Sequence, residues 1–254
     1  MAAIQDWIIR VNALAVGYAG EAILEDLNFE LKRGEIKMIA GASGCGKSTL
    51  LRHLVGLAMP IRGEIFFEDG LFSPGNPRFA SMRHRCGVLF QGAALWSDRT
   101  VQENIALPLA SQSRLSLAEI DEMVALKLAL VGLSGMGGKY PAQLSGGMRK
   151  RAGLARALAL DPEILFLDEP SAGLDPVSSR HLDRLILELR SVLGTTFVVV
   201  SHELSSLFRI ADSVLFLDAQ AKGVIADAAP QKLLKDPSAH PKVQQFLNSG
   251  IKNV

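Results

Sequence analysis

The sequence has few aromatic residues, only two cysteines and no excess of charge of either sign. Aromatic residues make up 6% of its 254 residues, within a hydrophobic fraction of 48%, so we expect a core of Leu, Ile, Val and Ala. Cys45 and Cys86 are too few for a disulfide framework and are predicted to be free thiols in a reducing compartment. The net charge is +1, from 27 basic and 26 acidic residues. Because nucleic-acid binding usually needs a clearly basic balance, we predict no nucleic-acid partner.

Long apolar runs are also missing. The longest, such as residues 164–167 and 197–200, have the length of strands, far below the roughly 20 residues that a transmembrane helix needs. No cationic stretch followed by an apolar run opens the chain, so we expect no signal peptide. A protein of this kind would work at a membrane through a partner.

Short apolar runs alternate with segments of helical periodicity, which predicts an α/β protein with a mostly parallel sheet. An N-terminal antiparallel β layer is expected from residues 8–14, 27–31 and 64–68. The predicted buried strands are residues 36–40, 86–90, 164–167 and 196–200. The predicted helices are residues 49–57, 116–131, 145–160 and 176–193, with Ser116 as an N-cap and Glu119 as its capping-box partner. A hairpin and two short helices are expected after residue 219.

A phosphate-binding loop is predicted where the strand 36–40 enters a glycine-rich turn. Residues 41–48 match the pattern G-x-x-x-x-G-K-[ST]. They lie between a predicted strand and a predicted helix, and this context favours a phosphate-binding loop over a glycine-rich turn that binds no ligand. Glycines let the backbone N–H groups point at phosphate oxygens, and the helix start adds positive partial charge. Lys47 supplies a mobile charge for the β- and γ-phosphates, and Ser48 supplies a hydroxyl for Mg²⁺. The predicted binding residues are Gly41, Ala42, Ser43, Gly44, Cys45, Gly46, Lys47, Ser48 and Thr49.

Two carboxylates follow the apolar run 164–167. They are expected at the carboxyl end of a buried strand, where the sites of α/β proteins lie. Because adjacent residues point to opposite faces of a strand, Asp168 and Glu169 can take different roles. Asp168 suits a metal, through a bound water, and Glu169 suits a general base or water-positioning residue. A strand that merely ends in charged residues is the alternative.

The run Leu144-Ser145-Gly146-Gly147-Met148 resembles the signature motif of the ABC ATPases, usually written LSGGQ. A serine hydroxyl, flexible glycines and a helix start again form an anion site. The resemblance implies that Ser145, Gly146 and Gly147 contact ATP held by the P-loop of a second copy of the chain. Met148 departs from the usual glutamine, but Ser145 and Gly147 are kept.

Other markers of the ABC ATPases occur in the expected order. Tyr18 stands where the family places an aromatic residue that stacks on adenine. Gln91 is similar to the Q-loop glutamine that touches Mg²⁺ and the attacking water. Residues 171–175 resemble the D-loop, and His202 resembles the switch histidine that contacts the γ-phosphate. None of these residues is informative alone, and their weight comes from order and spacing between residues 8 and 234. Glu169, His202, Gln91 and Lys47 form the implied catalytic set.

This resemblance implies one ABC-type P-loop NTPase domain over residues 1–254, with ATP and Mg²⁺ as its cofactors. Residues 1–91 and 161–229 would form the RecA-like core with its β layer. Residues 92–160 would form an inserted helical subdomain that carries the signature. Residues 230–254 would form a tail, either a regulatory or dimer-contact arm or a disordered end.

Three kinds of ABC protein fit these motifs. A transporter ATPase that docks on separate permease subunits is favoured. A soluble ABC ATPase of translation or DNA repair usually has two ATPase halves or a coiled-coil insertion, whereas only a small helical segment separates Gln91 from Ser145. A regulator without hydrolysis is disfavoured because Asp168, Glu169, Gln91 and His202 are all intact. Residues 91–109 are expected to receive a permease helix through Leu95, Trp96, Val101, Ile105 and Leu107, although core packing explains several of these equally well.

Four stretches resemble the phospholipid-transport ATPases of the Mla/Mce type. This resemblance implies polytopic permease subunits, a Mce-type substrate-binding protein and a small STAS-domain protein as partners. It places the chain peripherally on the cytoplasmic face of the inner membrane, where it would power phospholipid movement between inner and outer membranes. An amino-acid or other small-solute importer is the alternative. The stretches are residues 90–95, LSGGM followed by Arg149-Lys150-Arg151, residues 198–202 and residues 240–247.

Overall fold

The computed structural model describes residues 6–68 and 70–251. In chain order its elements are β1 (Trp7–Tyr18), β2 (Glu21–Lys32), β3 (Ile36–Gly41), α1 (Lys47–Leu54), β4 (Arg62–Phe67), β5 (Gly70–Leu71), α2 (Phe79–His84), β6 (Cys86–Leu89), α3 (Val101–Gln112), α4 (Leu117–Leu130), α5 (Gly146–Ala157), β7 (Ile164–Asp168), α6 (Pro176–Leu193), β8 (Thr196–Val200), α7 (Leu204–Ile210), β9 (Ser213–Asp218), β10 (Gly223–Ala228), α8 (Pro230–Lys235) and α9 (Pro241–Ile251). A short 3-10 turn, Pro141–Gln143, precedes α5.

The chain packs as two units. The first unit comprises residues up to Arg83 together with those from Thr196 onward, and the second comprises His84–Thr195. Each unit consists of the parts of the backbone that pack most closely with one another. The division at residues 92, 161 and 230, inferred from the motifs, stays a prediction.

An antiparallel sheet of order β2-β1-β4-β5 forms the predicted N-terminal layer of the first unit. The central strand β1 pairs with both β2 and β4, and bulges along it increase its twist. One bulge lies at Ala13, whose φ is 43°. A Cβ at Gly63 would come within 2.2 Å of the Ala13 carbonyl oxygen, so β4 can lie against this bulge only with glycine there.

The remaining strands of the first unit surround β3. This strand pairs in parallel with both β8 and β9, and β10 pairs antiparallel with β9. All six residues of β3 and all five of β8 are buried. Strands covered on both faces read as continuous apolar runs, which is why the sequence identified both of them. The first unit therefore has a rigid, buried strand directly before the glycine-rich turn.

The C-terminal helix α9 packs against β9 within the first unit. Val243 and Leu247 on α9 are fully buried, and the rings of Phe246 and Phe216 meet edge-on with centroids 5.3 Å apart. Lys242 binds Asp218 at the end of β9, and this pair lowers the pKa of the Asp218 carboxyl. The predicted tail thus contains a helix over residues 241–251 that is packed at Val243, Phe246 and Leu247, and its last three residues lie outside the described part.

The second unit combines two parallel strands with four long helices. Strand β6 pairs with β7 from Cys86 opposite Ile164 to Leu89 opposite Leu167. Each helix begins at a side chain that accepts a hydrogen bond from a backbone N–H of the first turn, which satisfies one of the free donors there. These N-cap residues are Thr100 for α3, Ser116 for α4, Ser145 for α5 and Asp175 for α6.

The predicted α/β class with an antiparallel N-terminal layer is confirmed, and Cys45 and Cys86 are free thiols. Helix α6 has the predicted bounds, and the predicted capping box of Ser116 and Glu119 is present. The helix predicted at 49–57 spans Lys47–Leu54 instead. It ends early because Gly56 adopts a φ of 70°, which stops a helix. The helix predicted at 145–160 spans Gly146–Ala157.

Within residues 6–68 and 70–251, no helix has both the length and the apolar character needed to cross a membrane.

Replacing Ser116 with Ala should lower the free energy of unfolding by about 1 kcal/mol, because the Glu119 N–H loses its acceptor. Urea denaturation followed by circular dichroism measures the change. Ser111→Ala is the matched control, because its hydroxyl bonds back to Pro108 within α3 and alanine is the better helix former. Equal unfolding midpoints for the two variants would show that this cap contributes nothing.

Candidate functional site

The loop between β3 and α1 has the shape of an anion site. Strand β3 ends at Gly41, and α1 begins at Lys47. Gly41 and Gly46 have φ values of 147° and 102°, in the region that favours glycine. A Cβ at Gly41 would lie 2.4 Å from the Leu217 carbonyl oxygen. The loop can therefore curl tightly at the end of β3 and direct its N–H groups, with the start of α1, toward a bound anion.

Lys47 lies folded into this loop. Its side chain is buried, and its Nζ donates to the carbonyl oxygens of Gly41 and Ala42, both at 2.9 Å. Ala42, Ser43 and Gly44 form the exposed tip above it. The ammonium group of Lys47 is thus held inside the turn that would bind an anion.

Cys45 contributes its backbone to the loop. Its side chain is fully buried, and the burial raises the pKa of the thiol. A protonated, inaccessible thiol is a poor nucleophile and a poor metal ligand. Cysteine is accordingly tolerated at this position of the predicted P-loop.

The structure brings Tyr18 to the first turn of α1. Its hydroxyl accepts hydrogen bonds from Thr49 Oγ1 at 3.4 Å and from Arg52 Nη1 at 3.3 Å. The residue remains 48% exposed. Tyr18 is therefore held by its hydroxyl while much of its surface stays open to a ligand.

His202 belongs to the same unit as this loop. It is exposed and follows β8 by two residues. The N–H of the preceding residue, Ser201, donates to the Ile39 carbonyl oxygen at 3.3 Å. Hydrogen bonding to β3 thus fixes the backbone beside His202 next to the strand that leads into the loop.

Asp168 and Glu169 lie in the second unit, and their arrangement corrects the sequence argument. Strand β7 ends at Asp168, whereas Glu169 adopts a left-handed conformation with a φ of 47°. The strict alternation of strand faces therefore does not extend to Glu169. This conformation costs a non-glycine residue about 1–2 kcal/mol and persists only where neighbouring contacts hold it.

Lys150 was named from the sequence only as part of the basic run after the signature, and no role in the site was assigned to it. It lies buried on α5, and its Nζ donates to the carbonyl oxygen of Glu169 at 3.1 Å and to that of Gln91. Burial lowers the pKa of Lys150, while the charges of Glu169 and Asp168 act in the opposite direction. One ammonium group thus joins the backbones at Gln91 and Glu169, although the Gln91 side chain itself is exposed. The sequence signal for it was a lysine inside a basic helix, which is usually a solvated face.

The signature run forms the start of α5. Ser145 is the N-cap, and its Oγ accepts a hydrogen bond from the Met148 N–H at 3.2 Å. Ser145 is exposed, and Gly146 and Gly147 are half-buried. The three residues line or adjoin a cavity of about 370 Å³ that Met148 and Arg151 also line. A hydroxyl and a helix start are thus open to a ligand at this end of α5.

The D-loop stretch leads into α6 through Asp175. This carboxylate accepts from the N–H groups of Val177 and Ser178, at 2.9 and 3.0 Å, and from the Ser178 hydroxyl at 2.5 Å. The hydrogen bonds from Ser178 lower the pKa of Asp175. Asp175 is accordingly a helix cap, a role that the sequence argument did not assign to it.

The two units thus gather separate parts of the predicted site. The first brings together Tyr18, the loop from Gly41 to Thr49 and the segment that carries His202. The second joins the backbones of Gln91 and Glu169 through Lys150 on the same helix that Ser145 begins.

Comparison with known proteins identifies relatives over nearly the whole chain. Residues 24–172 match the family model described as ABC transporter. The intermembrane phospholipid transport system ATP-binding protein MlaF of Escherichia coli is 40% identical over 242 residues, which cover 95% of this chain and 88% of that protein. The probable ribonucleotide transport ATP-binding protein mkl of Mycobacterium tuberculosis is 38% identical over 94% of this chain. This chain spans 66% of the length of that mycobacterial relative.

Solved structures of similar proteins are ATP-binding cassettes. The structure of cbiO1 from Clostridium perfringens, part of the ABC transporter complex cbiONQ, matches with a TM-score of 0.83 and 28% identity, over 98% of this chain and 100% of that one. The dimeric cassette MJ0796, in a post-hydrolysis state bound to ADP and Pi, matches with a TM-score of 0.78 and 28% identity, over 87% of this chain and 98% of that one. The predicted fold class is thereby confirmed. Because the family model covers more than half of the chain and the relatives align along almost all of it, this chain belongs to the ABC transporter family.

Proposed function

We propose that this chain is the ATP-hydrolysing subunit of an ABC transporter that moves phospholipid between the inner and outer membranes of a Gram-negative envelope. The observation that best supports ATPase activity is the glycine-rich loop after β3, in which Lys47 Nζ donates hydrogen bonds to two carbonyl oxygens. Phospholipid as cargo is supported by the 40% identity to MlaF, which extends over 95% of this chain.

ATP binds with its phosphates in the loop from Gly41 to Ser48 and its adenine on the ring of Tyr18. Lys47 exchanges its two carbonyl acceptors for oxygens of the β- and γ-phosphates, which are stronger partners because they are charged. The loop N–H groups and the start of α1 contribute the remaining contacts. Tyr18 suits the stacking role because its hydroxyl is tied to Thr49 and Arg52 while nearly half of the residue is exposed.

Mg²⁺ is the metal that the proposed donor set fits. The Ser48 hydroxyl, the Gln91 amide oxygen and the Asp168 carboxylate are all hard oxygen donors, and Mg²⁺ prefers these together with phosphates and waters. When bound, the metal neutralises charge on the phosphates. A buried thiol, as in Cys45, has no part in such a site.

Hydrolysis depends on Glu169, Gln91 and His202. Glu169 positions the attacking water and accepts its proton, Gln91 contacts the same water, and His202 contacts the γ-phosphate. Phosphoryl transfer requires mainly positioning and charge stabilisation, so residues held in fixed conformations serve it well. Two features support these roles: the left-handed backbone conformation of Glu169, and the hydrogen bond from the Ser201 N–H to Ile39 that fixes the backbone before His202.

A second copy of the chain completes each nucleotide site. Ser145, Gly146 and Gly147 contact the phosphates of ATP bound to the P-loop of the other copy. The exposed hydroxyl at the start of α5 supports this role, and so does the dimeric state of the similar cassette bound to ADP and Pi. ATP binding closes the pair and hydrolysis opens it, which is the two-state element that drives a membrane partner.

Polytopic permease subunits hold the chain at the cytoplasmic face of the inner membrane. Of the apolar side chains proposed for this contact, Trp96 is 55% exposed, Leu95 and Leu107 are half-buried, and Val101 and Ile105 are fully buried core residues. Trp96 is therefore the foremost candidate of the segment 91–109. A Mce-type substrate-binding protein and a small STAS-domain protein complete the proposed complex.

Replacing Glu169 with Gln should reduce kcat for ATP hydrolysis by about 10²–10⁴-fold while ATP binding persists, because the amide cannot accept the proton of the water. Steady-state phosphate release and equilibrium binding of labelled ATP measure the two effects. Glu163→Gln, which alters a carboxylate paired with Arg85 at the start of the same strand, is the matched control. Hydrolysis by Glu169→Gln at the rate of the control would remove Glu169 from the catalytic set.

Replacing Lys47 with Ala should weaken ATP binding by about 10- to 100-fold, because a hydrogen bond to a charged group contributes about 1.5–3 kcal/mol. Titration calorimetry with ATP and Mg²⁺ measures the dissociation constant. Lys232→Ala, which removes an exposed lysine of α8, serves as the control. An unchanged dissociation constant for Lys47→Ala would contradict the assignment of the loop.

Isolation of the membrane complex through a tag on this chain tests the transported substrate. We expect recovery of permease subunits and a Mce-type protein, phospholipid in the extracted complex and ATPase activity that Glu169→Gln abolishes. ATPase activity with a solute-binding partner and no bound lipid would contradict phospholipid as the cargo and would favour a small solute instead. Activity without any permease would favour a soluble ABC ATPase.

A further inference from the structure

One face of α5 carries the residues that hold the chain from Gln91 to Ala94. Lys150, Gly153 and Arg156 follow one another at intervals of three, so they share a face of the helix. Each of them lies against the segment that follows β6. Residues 91–94 begin the segment 91–109 that is proposed to contact the permease.

Arg156 holds the middle of the segment. Its Nη1 donates to the Ala94 carbonyl oxygen at 2.6 Å, and its Nη2 donates to that of Ala93 at 3.1 Å. Ala93 and Ala94 both adopt left-handed conformations, with φ values of 60° and 50°. Two consecutive left-handed alanines are unfavourable by themselves, so the Arg156 guanidinium stabilises a backbone that would otherwise rearrange.

Gly153 lets the segment approach the helix closely. A Cβ at this position would come within 2.8 Å of Leu89 Cδ1, 3.0 Å of Ala93 Cβ and 3.1 Å of the Ala93 carbonyl oxygen. Contacts of this length would force the segment away from α5. Gly153 therefore lets the segment lie close enough to α5 for Lys150 and Arg156 to bind its backbone carbonyl oxygens.

Lys150 connects the segment from Gln91 to Ala94 with the turn that carries Glu169. Its ammonium group donates to the carbonyl oxygens of both Gln91 and Glu169. The Glu169 carbonyl oxygen also accepts from the Ala172 N–H at 3.2 Å, which closes the turn after β7. Burying an ammonium group is costly and lowers the pKa of Lys150, and the two carbonyl oxygens and the nearby charges of Glu169 and Asp168 offset part of this cost.

We propose that Lys150 is a positioning residue for ATP hydrolysis, which sets the backbone of Gln91 and that of Glu169 at a fixed separation by binding both carbonyl oxygens. The inference rests on the proposed ATPase function and deepens it. Lys150 acts through Gln91 and Glu169, the two residues that the proposed function places at the attacking water. It also links the permease-contacting segment to the catalytic turn, so a displacement at residues 91–94 reaches Glu169 through one side chain.

The test compares Lys150→Met, Lys150→Arg and Lys150→Gln in the isolated transporter complex. Met keeps the length and apolar stem but removes the donors, and we expect it to lower kcat by about 10- to 100-fold, the effect of a small displacement of catalytic groups. KM for ATP and the dissociation constant of ATP should stay within about threefold of the wild-type values, because the hydrogen bonds of Lys150 go to the carbonyl oxygens of Gln91 and Glu169. Arg should restore most of kcat, and Gln should give an intermediate value.

Lys127→Met is the matched control. Lys127 is also a buried lysine of the second unit, on α4, and its Nζ donates to the Asp161 carboxylate, so this variant removes a buried ammonium group that binds a different partner. We expect its kcat to exceed that of Lys150→Met by about tenfold or more at comparable unfolding temperatures.

Five results would overturn the inference. In a wild-type complex that hydrolyses ATP, equal kcat values for Lys150→Met and Lys127→Met, a parallel loss of ATP affinity, or no recovery with Arg would reduce Lys150 to a structural residue and leave the proposed function intact. If Lys150→Met does not fold, Lys150→Gln with wild-type kcat decides against the inference. A wild-type complex without ATPase activity would reject the proposed function and the inference together.

Discussion

Burial of β3 on both faces is the constraint on which the first unit depends. Its six residues are enclosed, and it pairs with β8 on one side and β9 on the other. The chain that leaves β3 must turn at once, and the close approach of Gly41 to the Leu217 carbonyl oxygen decides how it turns. The same strand holds the backbone before His202 through Ile39. Tyr18 joins this arrangement through its hydroxyl contacts with α1.

The second unit obtains its order in a different way. Its turns at residues 91–94 and at Glu169 contain left-handed non-glycine residues, which strand pairing alone does not stabilise. Cationic side chains of α5 supply the missing contacts by binding backbone carbonyl oxygens, and burial strengthens these interactions. Helix α5, which begins with the run that resembles the signature motif, thus also carries the side chains that shape both of these turns.

Much of this arrangement could be predicted where one local rule operates. Alternation of apolar runs and helical segments identified the fold class, and the capping box of Ser116 and Glu119 located the start of α4. The P-loop could be found because spacing, glycine and the flanking elements are all local. The end of α1 was predicted three residues too late, because Val55 and Leu57 continue the apolar pattern while Gly56 ends the helix. Val101 and Ile105 could not be assigned to core or surface, since both uses require apolar residues.

The sequence by itself determined the fold class, the order of the motifs and the family, because each depends on residue type and spacing along the chain. The tertiary structure decided the conformation of Glu169, the burial of Lys150 and the exposure of Trp96. Lys150 could not be recognised beforehand, since its partners Gln91 and Glu169 are 59 and 19 residues away and offer carbonyl oxygens. Every residue has a backbone carbonyl, so the sequence carries no sign of which one a buried cation will bind.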